Sequence, residues 1–536
     1  METKKKNREK RLDMIGICCG VLLVILAIVS IVASNAAPVA GVKDSEIPAE
    51  AVTLTGTAPG RNGDVTVEVV ATADRIYRIK VLDHQETEGI GTEAVKNLPV
   101  SIFQAQNLQV DAVSGATISS NAIKAAVIDA LNNGGIKANA FGGSLIKVEQ
   151  IALQPNLDEL MTETGIQVLT ASHWAETYPE IYASWARNGE NDEAEDYLEI
   201  YPMLSTLYEP YGFSFDYNAA RGHMFDVEDV TSTERPHPNA SCFTCKTPYF
   251  TAMVLEQGNA AYAVPFKDVE ELMTEPISCF NCHANTPGKV TVTHTYLIDG
   301  VGEDFESIDA ANLACGQCHN EYFFNPNVEG KPTTLPHTSL ESMSPDAILA
   351  FYNDPANWPD GVPIADYTNP RTGVRQIKVQ HPELETYLGE GSQHRNTYTC
   401  ADCHMGTAVA ENGKTYTSHY LSSPLDNPDL IKNECSKCHV DLAAEVKKTQ
   451  EEVECRTYGV GYQLQYLTER LAQAVESGSY SEKELEEIRS LARDAQFYWD
   501  FVFVENAEGA HNPALTYDCL DKAETLCNQA LNLLKK

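Results

Sequence analysis

The chain has 536 residues, enough for two or more domains with real cores, and 43% of them are apolar, as in ordinary globular proteins. Against 39 Lys and Arg stand 76 Asp and Glu, a formal net charge of -37. Nucleic acid is excluded as a partner, because phosphate contacts need clustered Lys and Arg; the acidity itself reads as solubility.

The chain starts basic, with Lys4, Lys5, Lys6, Arg8, Lys10 and Arg11, and then runs without charge from Met14 to about Ser34. Roughly 20 apolar residues cross a bilayer as a helix, and the upstream charge keeps the N-terminus in the cytoplasm. Residues 1–35 therefore read as a cytoplasmic tail and a single-pass anchor in the cell membrane, with everything after it extracytoplasmic. The alternative is a cleaved leader, since Ser34-Asn35-Ala36-Ala37 offers small residues to a peptidase. The apolar run exceeds an ordinary leader's, which favours the anchor.

Residues 36–50 read as a polar linker. In the domain expected over 51–140, alternation predicts strands at 65–70 and 76–81. An amphipathic helix is predicted over 118–131, with Ile123, Val127 and Leu131 on one face, closed by Asn132-Asn133-Gly134-Gly135. A second linker, 141–169, opens on Phe141-Gly142-Gly143-Ser144. The region 170–440 is rich in Pro, Gly, Asn and Tyr and poor in periodicity, as expected where porphyrins fill a core. From 441 to 536 helical periodicity returns, with helices at 441–478, 481–505 and 514–534. The second opens with a Ser481-x-x-Glu484 capping box. Such helices cover a core or pair with a partner subunit. The fold class is multidomain: a transmembrane helix, a small α+β domain, and a mainly α multihaem domain with long C-terminal helices.

Ten of the 15 cysteines fall in five motifs. Four are Cys-x-x-Cys-His: Cys279 to Cys282 with His283, Cys315 to Cys318 with His319, Cys400 to Cys403 with His404, and Cys435 to Cys438 with His439. The motif that precedes them, Cys242-Phe243-Thr244-Cys245-Lys246, ends in lysine. This is the attachment signature of c-type haem, with two thioethers to the porphyrin and the following residue reaching the iron. Structural zinc would pair such motifs in twos and would not need the following His. Five haem irons have ten axial positions; Lys246 and the four motif histidines fill five, and ten of the 14 histidines remain for the opposite faces. Of the other cysteines, Cys18 and Cys19 lie in the apolar run. Cys519 and Cys527 are about 12 Å apart along a helix, too far to bridge. Whether Cys455 pairs with either stays open.

Two resemblances follow. Asp111-Ala112-Val113-Ser114-Gly115-Ala116-Thr117, taken with Asp-His-Gln-Glu-Thr-Glu-Gly-Ile-Gly-Thr at 83–92, resembles the FMN-binding domain of flavinylated subunits in ion-pumping electron-transfer complexes. Taken alone, Ser-Gly followed by Thr reads as a turn and a helix cap. The resemblance implies FMN joined to Thr117 by a phosphoester, cradled by Ser114, Gly115 and Ala116, and a separate flavin transferase to attach it. A phosphate there would sit at a helix N-terminus, which favours an anion.

From about 170 to 536, one Cys-x-x-Cys-Lys followed by four Cys-x-x-Cys-His resembles pentahaem, ammonia-forming cytochrome c nitrite reductase. Arg221-Gly222-His223, the run Cys315 to Phe323 with its Glu321-Tyr322 pair, and Lys378-Val379-Gln380-His381-Pro382-Glu383 carry the likeness. It implies a catalytic haem on Cys242 and Cys245 with Lys246 beneath it, lined by Arg235, Tyr322 and His381. Arg221 rivals Arg235, because Pro236 to Ser241 is a short approach to the motif. The distal ligands implied are His223, His394, His419 and His511, for the third, fifth, second and fourth motif haems. Glu321 and Gln380, with the carbonyls of Tyr322 and Lys378, would hold calcium. His84, His173, His237, His294 and His337 are left for the surface or outer shells. The implied reaction is six-electron reduction of nitrite to ammonium by a homodimer, here with its own tether and flavin, fed by a quinol-linked or flavin-linked membrane donor. The alternatives are a multihaem electron conduit, or the same enzyme acting mainly on hydroxylamine or sulfite.

Overall fold

The computed structural model describes residues 40–535 apart from 88, 90, 109, 111–112, 114–115, 137–140, 142–149, 153–154, 164 and 191. The expected anchor, Cys18, Cys19, Ser114 and Gly115 thus lie outside the described residues. No helix among the described residues is long and apolar enough to cross a membrane. The chain divides into two compact units, 1–143 and 144–536.

The first unit is an antiparallel sheet in the order β1-β4-β3-β2: β1 is Ala40–Gly41, β2 Val52–Pro59, β3 Asp64–Thr72 and β4 Arg75–Asp83. The register sets Val69 opposite Leu54 on one side and Ile79 on the other. Alternation buries Val65, Val67 and Val69 on one face, where they meet helices α1 (Gly91–Ala105) and α2 (Thr117–Asn133). Gly56 lets α2 lie on the sheet: a Cβ there would come 2.2 Å from the Ala126 carbonyl oxygen and the Ala130 amide nitrogen. Two expectations change. The linker over 36–50 contains β1, which pairs with β4. The helix expected to be amphipathic is buried almost all round, with Ala122, Ala126 and Ala130 joining Ile123, Val127 and Leu131 in the core, because sheet and α1 cover opposite sides.

In the second unit, short helices and turns lead to three long helices. Helix α3 spans Asp226–Ser232 and follows a single turn at His223–Phe225. Helices α4 (Leu442–Ser477), α5 (Glu482–Phe503) and α6 (Pro513–Leu533) fall within two residues of expectation. The Ser481–Glu484 box opens α5: the Ser481 amide donates to Glu484 Oε2 at 2.8 Å. Leu464, Leu467 and Leu471 of α4, Ile488 and Trp499 of α5, and Leu520 and Ala523 of α6 form one core with Met203, Tyr208 and Tyr352. Trp499 donates from Nε1 to the Thr457 carbonyl at 2.8 Å. Part of the second expected linker belongs to this unit: Leu160, Ile166 and Val168 pack on Ala252 and Phe280. Cys455, Cys519 and Cys527 are free thiols, the first exposed and the others buried.

Candidate active site

Four imidazole pairs organise the second unit. The ring centroids of His283 and His419 are 6.3 Å apart, those of His319 and His223 5.9 Å, His404 and His511 5.9 Å, and His439 and His394 6.1 Å. An iron held by two imidazoles, with bonds of about 2 Å to each nitrogen, sets the centroids about 6 Å apart. The donor set and spacing fit haem iron between each pair, and each motif histidine meets its sequence-implied partner; His319 also lies 6.3 Å from the His381 ring.

The far ring nitrogens have partners of two kinds. Main-chain carbonyls accept from His283 (Lys289, 2.6 Å), His419 (Thr417, 3.1 Å) and His404 (Ser422, 3.0 Å). Carboxylates face His439 (Glu445, 2.7 Å) and His511 (Glu505, 2.6 Å). Burial pushes His394, His404 and His419 down to about 4, leaving the neutral imidazoles that metal binding requires. Burial also depresses His511, but Glu505 outweighs it and raises that histidine.

The motifs touch in a branched pattern. Cys318 of the third approaches Cys245 of the first, both within 4.8 Å of the His294 imidazole. Cys282 of the second contacts the Ala314 carbonyl, and the Cys400 amide of the fourth donates to Asn312 Oδ1 at 2.9 Å. The segment at 312–319 is thus the hub.

The lysine motif is built differently. Cys279–His283 and Cys400–His404 are helical turns, whereas Cys245 sits at φ 59, in the left-handed region. Lys246 Nζ donates to Asp226 Oδ1 at 3.2 Å, and that carboxylate raises the lysine above its ordinary range. An iron ligated here must displace the ammonium proton.

Arg235, Tyr322 and His381 each feel the charges of this motif. The Arg235 guanidinium lies 4.1 Å from the centre of the Phe213 ring, and its charge reaches the Cys242 thiol. Arg221 is committed elsewhere, 2.6 Å from Asp229 and 3.1 Å from Glu228. Tyr322 is pushed well above its usual range by burial, then by Cys245, so its hydroxyl stays a donor. His381 Nδ1 is buried without a hydrogen-bond partner; burial takes the ring down to about 4, opposed by Glu383.

Three successive amides pin the strip leading to His381. Lys378 donates to Asp366 at 2.8 Å, Val379 to Asp500 of α5 at 3.0 Å, and Gln380 to Glu321 at 2.6 Å. Glu321 is fully buried and also accepts from Tyr352 at 2.8 Å. The Gln380 side-chain amide donates from Nε2 to the Lys378 carbonyl at 2.8 Å and its main-chain amide donates to Glu321, so the residues implied for calcium, Glu321, Gln380 and Lys378, are hydrogen-bonded neighbours, and their oxygens are the donor type a hard cation takes. Asp226, Asp366 and Asp500 escaped the sequence reading, since isolated aspartates carry no motif.

The Cytochrome c552 family model matches residues 170–536. The chain belongs to the cytochrome c552 family. It is a multihaem cytochrome c and an oxidoreductase, with an FMN-binding domain model matching residues 60–132 ahead of it. It is 28% identical over 425 residues to cytochrome c nitrite reductase subunit NrfA of Nitratidesulfovibrio vulgaris, covering 69% of this chain and 79% of that one. It is 30% identical over 384 residues to cytochrome c-552 of Aliarcobacter butzleri, covering 67% and 75%. The solved catalytic subunit of cytochrome c nitrite reductase from Desulfovibrio desulfuricans, described with two calcium sites, superposes with TM-score 0.60 at 26% identity, covering 68% of this chain and 86% of that one.

In the FMN-binding unit, the 83–92 segment meets the helix that follows the 111–117 segment. Glu86 is buried and accepts from the Ser119 hydroxyl in the first turn of α2 and from the Arg61 amide at 2.8 Å. Helix α2 begins at Thr117, Ala116 occupies the cap position, and no side chain caps it. Of the histidines expected at the surface or in outer shells, His294 and His337 are buried. His337 is locked between the Gly300 carbonyl at 2.6 Å and Glu385 at 2.9 Å.

Proposed function

We propose that the chain is a membrane-anchored, flavin-linked nitrite reductase that makes ammonium at the Lys246 motif. One observation carries this reading: four motif histidines each face a second histidine, whereas Lys246 meets a carboxylate, and Arg235, Tyr322 and His381 each feel the charges of its motif.

A haem on Cys242 and Cys245, ligated by Lys246, would supply an iron that binds nitrite and delivers electrons to it. Arg235, always charged, holds the anion's oxygens in a protein whose net charge of -37 otherwise repels it. His381, neutral in its buried setting, offers its unpartnered Nδ1 at the departing oxygen and gains a proton once negative charge enters. Tyr322 donates its hydroxyl hydrogen to the oxygen that leaves. Glu321, Gln380 and the carbonyls of Tyr322 and Lys378 would hold calcium, which would add positive field beside them. The conversion takes six electrons and eight protons, and haems held by the four histidine pairs, branching at 312–319, would supply electrons so that half-reduced nitrogen stays in the pocket. FMN on Thr117, installed by a flavin transferase, would accept electrons from a quinol-linked or flavin-linked membrane donor. Residues 1–35 would hold the enzyme to the membrane, with the haem unit outside the cytoplasm. The exposed Tyr462 and Tyr466 of α4 suit a homodimer contact.

The test is spectroscopic and kinetic. The purified holoprotein should contain one high-spin haem that shifts when nitrite is added, and should release ammonium. Five low-spin haems indifferent to nitrite would leave only an electron conduit. Turnover compared on nitrite, hydroxylamine and sulfite fixes the preferred substrate.

A further inference from the structure

Lys246 has a companion that none of the motifs mark. Asp226, 8% exposed, accepts from the lysine Nζ at 3.2 Å, and its second oxygen, Oδ2, is buried without a hydrogen-bond partner. Asp226 opens α3 immediately after the turn His223–Phe225. One short strap therefore carries His223 to His319 and, three residues on, a carboxylate to Lys246. Asp229, on the same helix, pairs with Arg221 instead. A buried carboxylate with an unsatisfied oxygen is unfavourable unless a positive charge stands close by. A metal bound by Lys246 would supply such a charge through the lysine that Asp226 touches. A ligating amine keeps two hydrogens, so it can bind iron and still donate to Asp226.

We propose that Asp226 is a positioning residue for the lysine ligand: it orients the amine through one N–H and sets a negative charge beneath the iron, holding that haem at a lower reduction potential than lysine alone would. The proposal rests on Lys246 ligating a haem on Cys242 and Cys245. That premise is checked first, on the unmutated holoprotein, by its nitrite-responsive high-spin signal; a missing signal refutes the functional reading itself.

With the signal present, Asp226→Asn removes the charge at nearly constant shape. In a redox titration followed by electron paramagnetic resonance, the nitrite-responsive haem should move to a more positive midpoint while the other four stay where they were. Asp226→Glu should return the midpoint most of the way, and Asp229→Asn should leave it in place. Asp226→Ser serves as a second neutral variant in case the amide hinders haem loading. A native midpoint in either loaded neutral variant overturns the proposal while leaving the nitrite reductase reading intact.

Discussion

The Gln380 amide donates to Glu321 Oε2 at 2.6 Å, so the strip that carries His381 is tied directly to a fully buried carboxylate. Neighbouring amides are held the same way by Asp366 and Asp500. A cation at Glu321 would therefore set the height of His381 as well as the local field. Chelator treatment of the holoprotein should lower nitrite turnover about 10-fold or more, and added calcium should restore it. Glu321→Gln should show the same loss and no recovery with calcium, as measured by ammonium release.

Arg235 and Arg221 are separable by kinetics. Arg235 lies over Phe213 beside the lysine motif, whereas Arg221 is neutralised by Asp229 and Glu228. Arg235→Gln should reduce kcat/KM for nitrite by roughly 10²–10³-fold, the usual cost of losing a donor to developing negative charge. Arg221→Lys should leave steady-state nitrite kinetics near native.

The His283–His419 pair predicts a spin count. His419→Ala removes one imidazole of a pair 6.3 Å apart. The number of high-spin haems seen by electron paramagnetic resonance should rise from one to two. Nitrite should still shift the lysine-motif signal, because His419 belongs to a different motif.

His294 gives the fold an acid limit. It is 6% exposed, and burial lowers it to about 4. Below its ordinary value near 6.5 the unfolded chain binds a proton that the folded chain refuses. Its contribution is therefore fully present above pH about 6.5 and is lost as pH falls toward 4, a change of order 3 kcal/mol. Thermal midpoints of the holoprotein at pH 7 and pH 5 should differ less in His294→Gln than in the native protein.

Thr117→Ala should keep nitrite reduction driven by an artificial dye and lose reduction driven by the membrane donor. Equal survival of both rates would remove flavin from the path. Gly56→Val should have the same outcome for a different reason. A side chain there meets the Ala126 and Ala130 backbone and displaces the helix that begins at Thr117. Flavin content falls in both variants, while the haem absorbance stays native.

The sequence made the haem scaffold readable because each Cys-x-x-Cys unit binds covalently, whatever fold surrounds it. The partners of the motif histidines were expected only through resemblance, since His419 and His511 have no local pattern of their own. The C-terminal helices were plain from periodicity and the Ser481 box. Helix α1 was missed: Pro99 sits inside it and reads as a breaker. The amphipathic expectation for α2 failed because burial on two sides erases a polar face. Whether His294 and His337 would lie at the surface or in an outer shell was open, because a lone histidine says nothing about what will cover it.

The pairing of distant histidines also dictates an order of assembly. His283 must wait for His419 and His404 for His511, which the ribosome makes much later, while His319 and His439 find their partners already synthesised. If each cysteine pair takes a haem, attachment would precede closure, because the opposing ring closes the slot. Such far-apart contacts form slowly. On the proposed reading the polypeptide would have to stay open until each haem is attached, and the stretch just before α6, which brings His511, would be the last latch to fall.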